Sequence, residues 1–429
     1  MMPWVRRLSV LCALLTTFAN VACARRSLPA ERAVHGAPSA SALPAPPVPA
    51  ELAPTALGLH GDAARGKDLV QRFECNRCHE GTGLATAALT KNCFSCHEQI
   101  MTGRFPVSAA ALARFRPHVE SAREAPSLTA IGARLEGAWI RDYLLAPRDL
   151  RPKLTPTMPR LALDAEQAAD IASYLTASAV PDTQPAPQEG SAERGRELMD
   201  QKGCAGCHTF SGVPAFTAVD AAPAGSEAAR ASALAPDLRF TRERFRKDRL
   251  LAWLLNPKAL KSDTRMPNFG LSADEASDIA AYVLGARLSP EVPASFARLP
   301  LLTRHVSFDE ANQQVFSRTC HHCHTDADAA GGDGGPGNTG GFGFAPRGVS
   351  FSSHASILAG YTDERGQRRS LFEPLADGTP RLVAALLARH DETARAPRAG
   401  VRGMPLGLPP LSAQDIQLVE SWVAQGKPL

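Results

Sequence analysis

Residues 75–98 read CNRCHEGTGLATAALTKNCFSCHE. The stretch holds two copies of Cys-x-x-Cys-His, one starting at Cys75 and one at Cys93. Its four cysteines also read as a pair of Cys-x-x-Cys knuckles, close to a zinc-ribbon spacing. Two further copies follow, CAGCH at 204–208 and CHHCH at 320–324. Of the ten cysteines, Cys12 and Cys23 fall in the first residues, and the other eight all belong to these pairs. A disulfide framework would not put every cysteine two residues from its partner, because so short a loop strains the bond. No cysteine is left over.

The spacing has a chemical reason. Two thiols separated by two residues straddle one edge of a porphyrin and add across its vinyl groups, and the adjacent histidine turns its imidazole to the iron. This pattern assigns covalent haem c to Cys75, Cys78, Cys93, Cys96, Cys204, Cys207, Cys320 and Cys323. It makes His79, His97, His208 and His324 the proximal ligands of four haems. In the opening stretch, zinc would explain the cysteines and leave His79 and His97 to coincidence. Haem explains all six residues.

Sixth ligands are expected from a repeated context. Met158, Met266 and Met404 each precede a proline, a short loop, a helix cap (Asp164, Ser272 and Ser412) and an apolar-periodic helix. The residue three after each cap is Gln167, Glu275 or Asp415, a capping box or a near variant. Tyr174, Tyr282 and Trp422 then occupy equivalent places in those helices. A lone methionine is ordinarily core filler, and Met101 and Met199, which lack this context, are read that way. Met158 is paired with the haem at His79. The iron at His97 is then left to His118, in RFRPHVESA, with His60, Met101 or an open position as alternatives. His321 and His322, between the last pair of cysteines, are expected to face solvent. His305, His354 and His390 receive no role.

The chain plan follows. Residues 1–24 have a basic start (Arg6, Arg7) and an apolar run, as in an export signal. Cys23 in ANVAC stands where a lipoprotein would be acylated, and ordinary cleavage after Ala24 is the alternative. Residues 25–57 form a Pro/Ala-rich disordered tether. A dihaem domain (58–180), a linker (181–190), a second domain (191–287), a linker (288–304) and a third domain (305–429) complete the plan. YLLAP (143–147) and WLLNP (253–257) end equivalent helices at a proline, while VAALLARH in the third domain lacks it. The third domain also carries a Gly-rich loop, DADAAGGDGGPGNTGGFGFAPRG.

On the haem motif behind a helix (ARGKDLVQRFECNRCH, ERGRELMDQKGCAGCH, ANQQVFSRTCHHCH) and the Met-Pro loop before a closing helix, each domain resembles a class I cytochrome c. The resemblance implies an all-α fold of three tandem class I cytochrome c domains, covalent haem c, His/Met iron and electron transfer. The extra motif in the first domain departs from the family, as do the Gly-rich loop and the missing proline in the third.

A formal charge of +4 over 429 residues implies no nucleic-acid partner. RFTRERFRKDR (239–249) reads as a solvated helix face, or as a docking patch for an acidic redox partner. The expected function is an exported, periplasmic tetrahaem cytochrome. It would relay electrons between respiratory partners such as a quinol-oxidising complex and a terminal oxidase or reductase, and a lipidated Cys23 would hold it at a membrane. The alternative is a peroxidase- or reductase-like haem enzyme with an open position on the haem at Cys93, Cys96 and His97.

Overall fold

The structure is a computed structural model that describes residues 60–120, 122–177, 189–217, 219, 222–223, 225–292, 295–326 and 335–429. The signal and tether expected over 1–57 lie outside these residues, as does most of the 181–190 linker. The described chain is helical apart from one short hairpin, which agrees with the all-α expectation. No described helix is long and apolar enough to cross a membrane.

The helices fall into three sequential groups. The first holds α1 (Ala63–Arg72), α2 (Cys93–Thr102), α3 (Ala109–Val119), α4 (Gly137–Leu145) and α5 (Ala165–Thr176). The second holds α6 (Ala192–Gln201), α7 (Glu227–Leu234), α8 (Thr241–Arg244), α9 (Lys247–Leu255), α10 (Pro257–Leu260) and α11 (Ala273–Gly285). The third begins with α12 (Phe308–Ala311), which continues as a π-helical segment, Asn312–Cys320, into the last motif. It goes on through α13 (Pro336–Thr339), α14 (His354–Leu358), the hairpin β1 (Tyr361–Thr362) and β2 (Arg368–Arg369), α15 (Arg381–Thr393) and α16 (Ala413–Ala424).

Local chemistry sets the closing helices where the sequence places them. Asp164 and Ser272 form full capping boxes with Gln167 and Glu275, and Ser412 accepts the Asp415 N–H. Helices α4 and α9 both stop just short of Pro147 and Pro257. Without a proline there, α15 runs straight through VAALLARH.

In the first two groups the opening helix crosses the closing one, α1 on α5 and α6 on α11. The crossings need glycine. A Cβ on Gly66 would stand 2.0 Å from the Asp170 carbonyl oxygen, and one on Gly195 would stand 2.0 Å from that of Asp278. The same aspartates, both buried, tie the helices together through their side chains. Asp170 accepts the Asp62 N–H at 2.6 Å and meets Arg65 at 2.8 Å. Asp278 accepts the Ser191 N–H at 2.6 Å and meets Arg194 at 3.0 Å. Ala311, fully buried, holds the corresponding place in the third group.

The groups are packed together. The first two share one apolar core that runs from Val70 to Val283. At their junction Leu135 and Phe245, each just ahead of an equivalent helix, form an antiparallel bridge. The Glu136 N–H donates to the Arg244 carbonyl at 2.9 Å and the Arg246 N–H to the Arg134 carbonyl at 2.8 Å. The third group has its own core around Trp422, Phe316 and Ile416. It docks on the first through the Thr157 N–H, which donates to the Gly407 carbonyl at 3.0 Å, and the Phe342 N–H, which donates to the Glu74 carboxylate at 3.2 Å.

Candidate functional site

One cavity of about 1740 Å³ runs through this packing. It exceeds the roughly 300–1,000 Å³ of a single small-molecule pocket. All eight motif cysteines line it, together with His79, His97, His208, His324, Met158, Met266 and Met404. The sequence scattered these residues over more than half of the chain, and the fold brings them to one wall system.

The histidines are set up as ligands. His79 Nδ1 lies 2.7 Å from the Pro126 carbonyl, His208 Nδ1 2.9 Å from that of Pro236, and His97 Nδ1 2.5 Å from that of Ala122. A carbonyl can only accept, so each Nδ1 carries the proton and each Nε2 keeps a lone pair for a metal. Burial holds the His79, His97 and His208 pKa values below the usual histidine range and pushes His324 down to about 4. All four imidazoles are therefore neutral, the form that ligates. The Nδ1 of His324 is buried without a hydrogen bond of good geometry, and the backbone at Gly337 and Val349 lies beside the ring. The Ala-Pro-x-Leu repeat at 125–128 and 235–238 could have announced the first two of those carbonyls.

The motif cysteines are half-buried. Desolvation raises Cys75, Cys96 and Cys204 to about 11 and Cys320 to about 12. No disulfide links the described cysteines. Among the described residues no group of three or more His, Cys, Asp or Glu side chains could hold a metal ion. A zinc centre at Cys75, Cys78, Cys93 and Cys96 therefore has no support in the geometry.

The walls also present cations. Arg134, Arg151 and Arg244 line the cavity, and Arg134 and Arg244 occupy equivalent places beside the bridge between the first two groups. Burial pushes Arg134 down to about 10 and Arg244 to about 9. The Nε of each is buried and unbonded. Neither is in an ion pair among the described residues. Buried guanidiniums require an anion facing them, and a flat cofactor with a carboxylate edge supplies one. Thiols, neutral imidazoles, thioethers and buried guanidiniums together fit haem c. Sequence reasoning missed these arginines, since nothing local separates a buried arginine from an exposed one.

The basic run 239–249 is neither a solvated face nor a patch. Arg244 and Arg249 are buried, Arg242 donates to the Ala286 carbonyl at 3.0 Å, and Arg239 donates to that of Ser289 at 2.9 Å. The run lies at the junction of the groups: Arg239 and Arg242 are taken up by internal carbonyls, Arg244 lines the cavity, and Glu243 and Lys247 are exposed.

Not every expected ligand reaches the cavity. His118 is exposed near the end of α3, and His60 is exposed ahead of α1. Neither lines the wall. Met101 does not line it either, whereas Met199 does so as a buried packing residue. His321 is half-buried and donates from Nε2 to the Phe351 carbonyl at 2.7 Å. His322 is exposed but lines the cavity, with its ring centre 5.5 Å from that of His97.

Residues 192–287 match the family model described as Cytochrome c. No curated protein and no solved structure matches the chain.

Proposed function

Since residues 192–287 are a cytochrome c domain, and such a domain serves haem-based electron transfer, we propose that the whole chain is an exported tetrahaem c-type cytochrome. In this reading each helical group is a cytochrome c domain, the first carrying two haems, and the protein relays electrons between redox partners. Covalently bound haem c supplies a one-electron iron centre at each motif. The chain's residues do the rest. Each cysteine pair would hold one haem covalently, and His79, His97, His208 and His324 would each offer a nitrogen to its iron. Met158, Met266 and Met404 offer a thioether sulfur to the haems of His79, His208 and His324, which favours the reduced iron. Arg134, Arg151 and Arg244, which line the cavity, would hold the carboxylates of the bound group. The mostly apolar walls would limit the water around the bound group.

The observation that carries this reading is the shared cavity. Separate carriers would need separate pockets, whereas one cavity keeps successive haems near one another. Delivery to the periplasm, anchoring through a lipidated Cys23, and donors and acceptors such as a quinol-oxidising complex and a terminal oxidase or reductase belong to the same proposal. Expression in a host that matures c-type haem, followed by intact mass and a reductive titration, tests it. Four added haem masses, all reducible, are expected. Three haems with one bound zinc would overturn the tetrahaem reading, and recovery of the protein in the cytoplasm would overturn export.

A further inference from the structure

We infer that His322, from the third helical group, is the sixth ligand of the iron held by His97 in the first. The inference rests on the second motif being a haem site. Three observations carry it. The His97 ring is buried, and its Nδ1 is committed to the Ala122 carbonyl, so Nε2 is the atom left for a metal. His322 lines the same cavity as His97. The two ring centres lie 5.5 Å apart with their planes at 49°. Two imidazoles that share one first-row metal ion through a nitrogen each, at about 2 Å per bond, have ring centres roughly 6 Å apart. The observed separation falls within about half an ångström of that value, so a small shift of either ring would let the pair hold one ion between them.

The other candidates are placed elsewhere. Met158, Met266 and Met404 each belong to one of the other three sites, and His60, His118 and Met101 do not reach the cavity wall. The spacing inside CHHCH explains why a residue of one motif can serve another. Cys320 and Cys323 face their own porphyrin edge, and His321 is turned to the Phe351 carbonyl. The next side chain, that of His322, is presented outward. Contacts beside the first motif hold the third group there. The Phe342 N–H donates to Glu74, and the Arg77 guanidinium lies over the Phe342 ring at 5.1 Å.

The assignment bears on function. With His322 in place the second haem has no vacant position for substrate, and a short peptide, His322–Cys323–His324, joins its ligand sphere to that of the last haem. A bis-histidine iron also lacks the thioether that raises the potential of His/Met sites. This haem should be the lowest of the four in potential.

The test uses the full-length holoprotein. Intact mass is measured first, and then electron paramagnetic resonance and near-infrared magnetic circular dichroism on wild type, His322→Ala and His118→Ala. Wild type is expected to carry four haems, one with a bis-histidine signature. His322→Ala should keep four haems, lose that signature, gain one high-spin haem that binds carbon monoxide when reduced, and recover with added imidazole. His118→Ala should match wild type. His322→Met, which preserves a ligand if alanine disturbs folding, should convert the bis-histidine signature to a His/Met one and raise the lowest potential. A bis-histidine signal that survives both His322 changes, or is lost in His118→Ala, overturns the assignment. Three haems in wild type overturn the motif reading itself, and mass detects that before any spectrum is taken.

Discussion

The Sγ atoms of Cys78 and Cys93 lie 4.0 Å apart although they belong to different Cys-x-x-Cys-His motifs. The chain folds back between them, so the attachment edge of the first site abuts that of the second. In the proposed holoprotein the two irons feel each other's charge. At about 10 Å and an effective dielectric near 20, one unit charge is worth on the order of 1–2 kcal/mol. A spectroelectrochemical titration should therefore show the two midpoints pushed apart. Cys93→Ser with Cys96→Ser should remove one haem mass and narrow the spread. Retention of all four haem masses would refute the attachment.

Each cavity-lining methionine of a Met-Pro loop should control one haem. Met158→Ala, Met266→Ala and Met404→Ala are each expected to convert a different low-spin haem to high spin, with the potential of that haem reduced. Met199→Ala, which changes a buried packing residue, should leave spin state alone and lower stability by about 2–5 kcal/mol. A spin change in Met199→Ala would break the distinction between ligand and filler.

Arg134 and Arg244 flank the junction of the first two groups as buried cations outside any ion pair among the described residues. Replacing either by Gln removes positive charge near the oxidised iron and its carboxylates. The expected result is a lower midpoint potential for one of the first or third haems, on the order of tens of millivolts. Unchanged potentials in both variants would show that these side chains face something other than the cofactor.

Acid stability follows from Asp170 and Asp278. The Arg65 hydrogen bond holds Asp170 below the usual carboxylate range, and the Ser191 N–H and then Arg194 do so for Asp278. A lowered carboxylate stabilises the fold fully above its unfolded pKa of about 3.9, and that contribution is lost as pH falls through the lower folded value. Thermal unfolding of the first two groups should thus be flat from neutrality to about pH 5 and fall steeply below about pH 4. The double variant Asp170→Asn, Asp278→Asn should unfold at lower temperature at pH 7 and show a shallower acid slope. An unchanged slope would place the acid sensitivity elsewhere.

Trp422 is fully buried in a core that the first two groups do not share. Trp422→Ala should cost about 3–5 kcal/mol and lower a calorimetric transition belonging to the third group. The transition of the first two groups, which share one core, should move little. A single transition shifted as a whole would show that the docking contacts at Thr157 and Phe342 couple the groups fully.

Much of the site was legible because its chemistry is local. The Cys-x-x-Cys-His spacing is fixed by the width of one porphyrin edge, so Cys75, Cys78 and His79 and their counterparts could be read directly. The Met-Pro loops and their caps at Asp164, Ser272 and Ser412 were legible because they repeat. Helix ends at Pro147 and Pro257 follow from the missing N–H of proline. The sequence by itself determined the helical class, the four Cys-x-x-Cys-His motifs and the three Met-Pro loops. Only the tertiary structure decided what depends on distant surfaces meeting. It left His118 off the cavity wall, put His322 against His97, buried Arg134, and buried Arg244 and Arg249 within 239–249, a run that reads in sequence as a solvated face or a docking patch. The physical reason is that a motif fixes which atoms one segment can offer. Which segment faces it across a cavity is settled by core packing and by single backbone contacts, such as the bridge from Leu135 to Phe245, that leave no periodic trace in the chain.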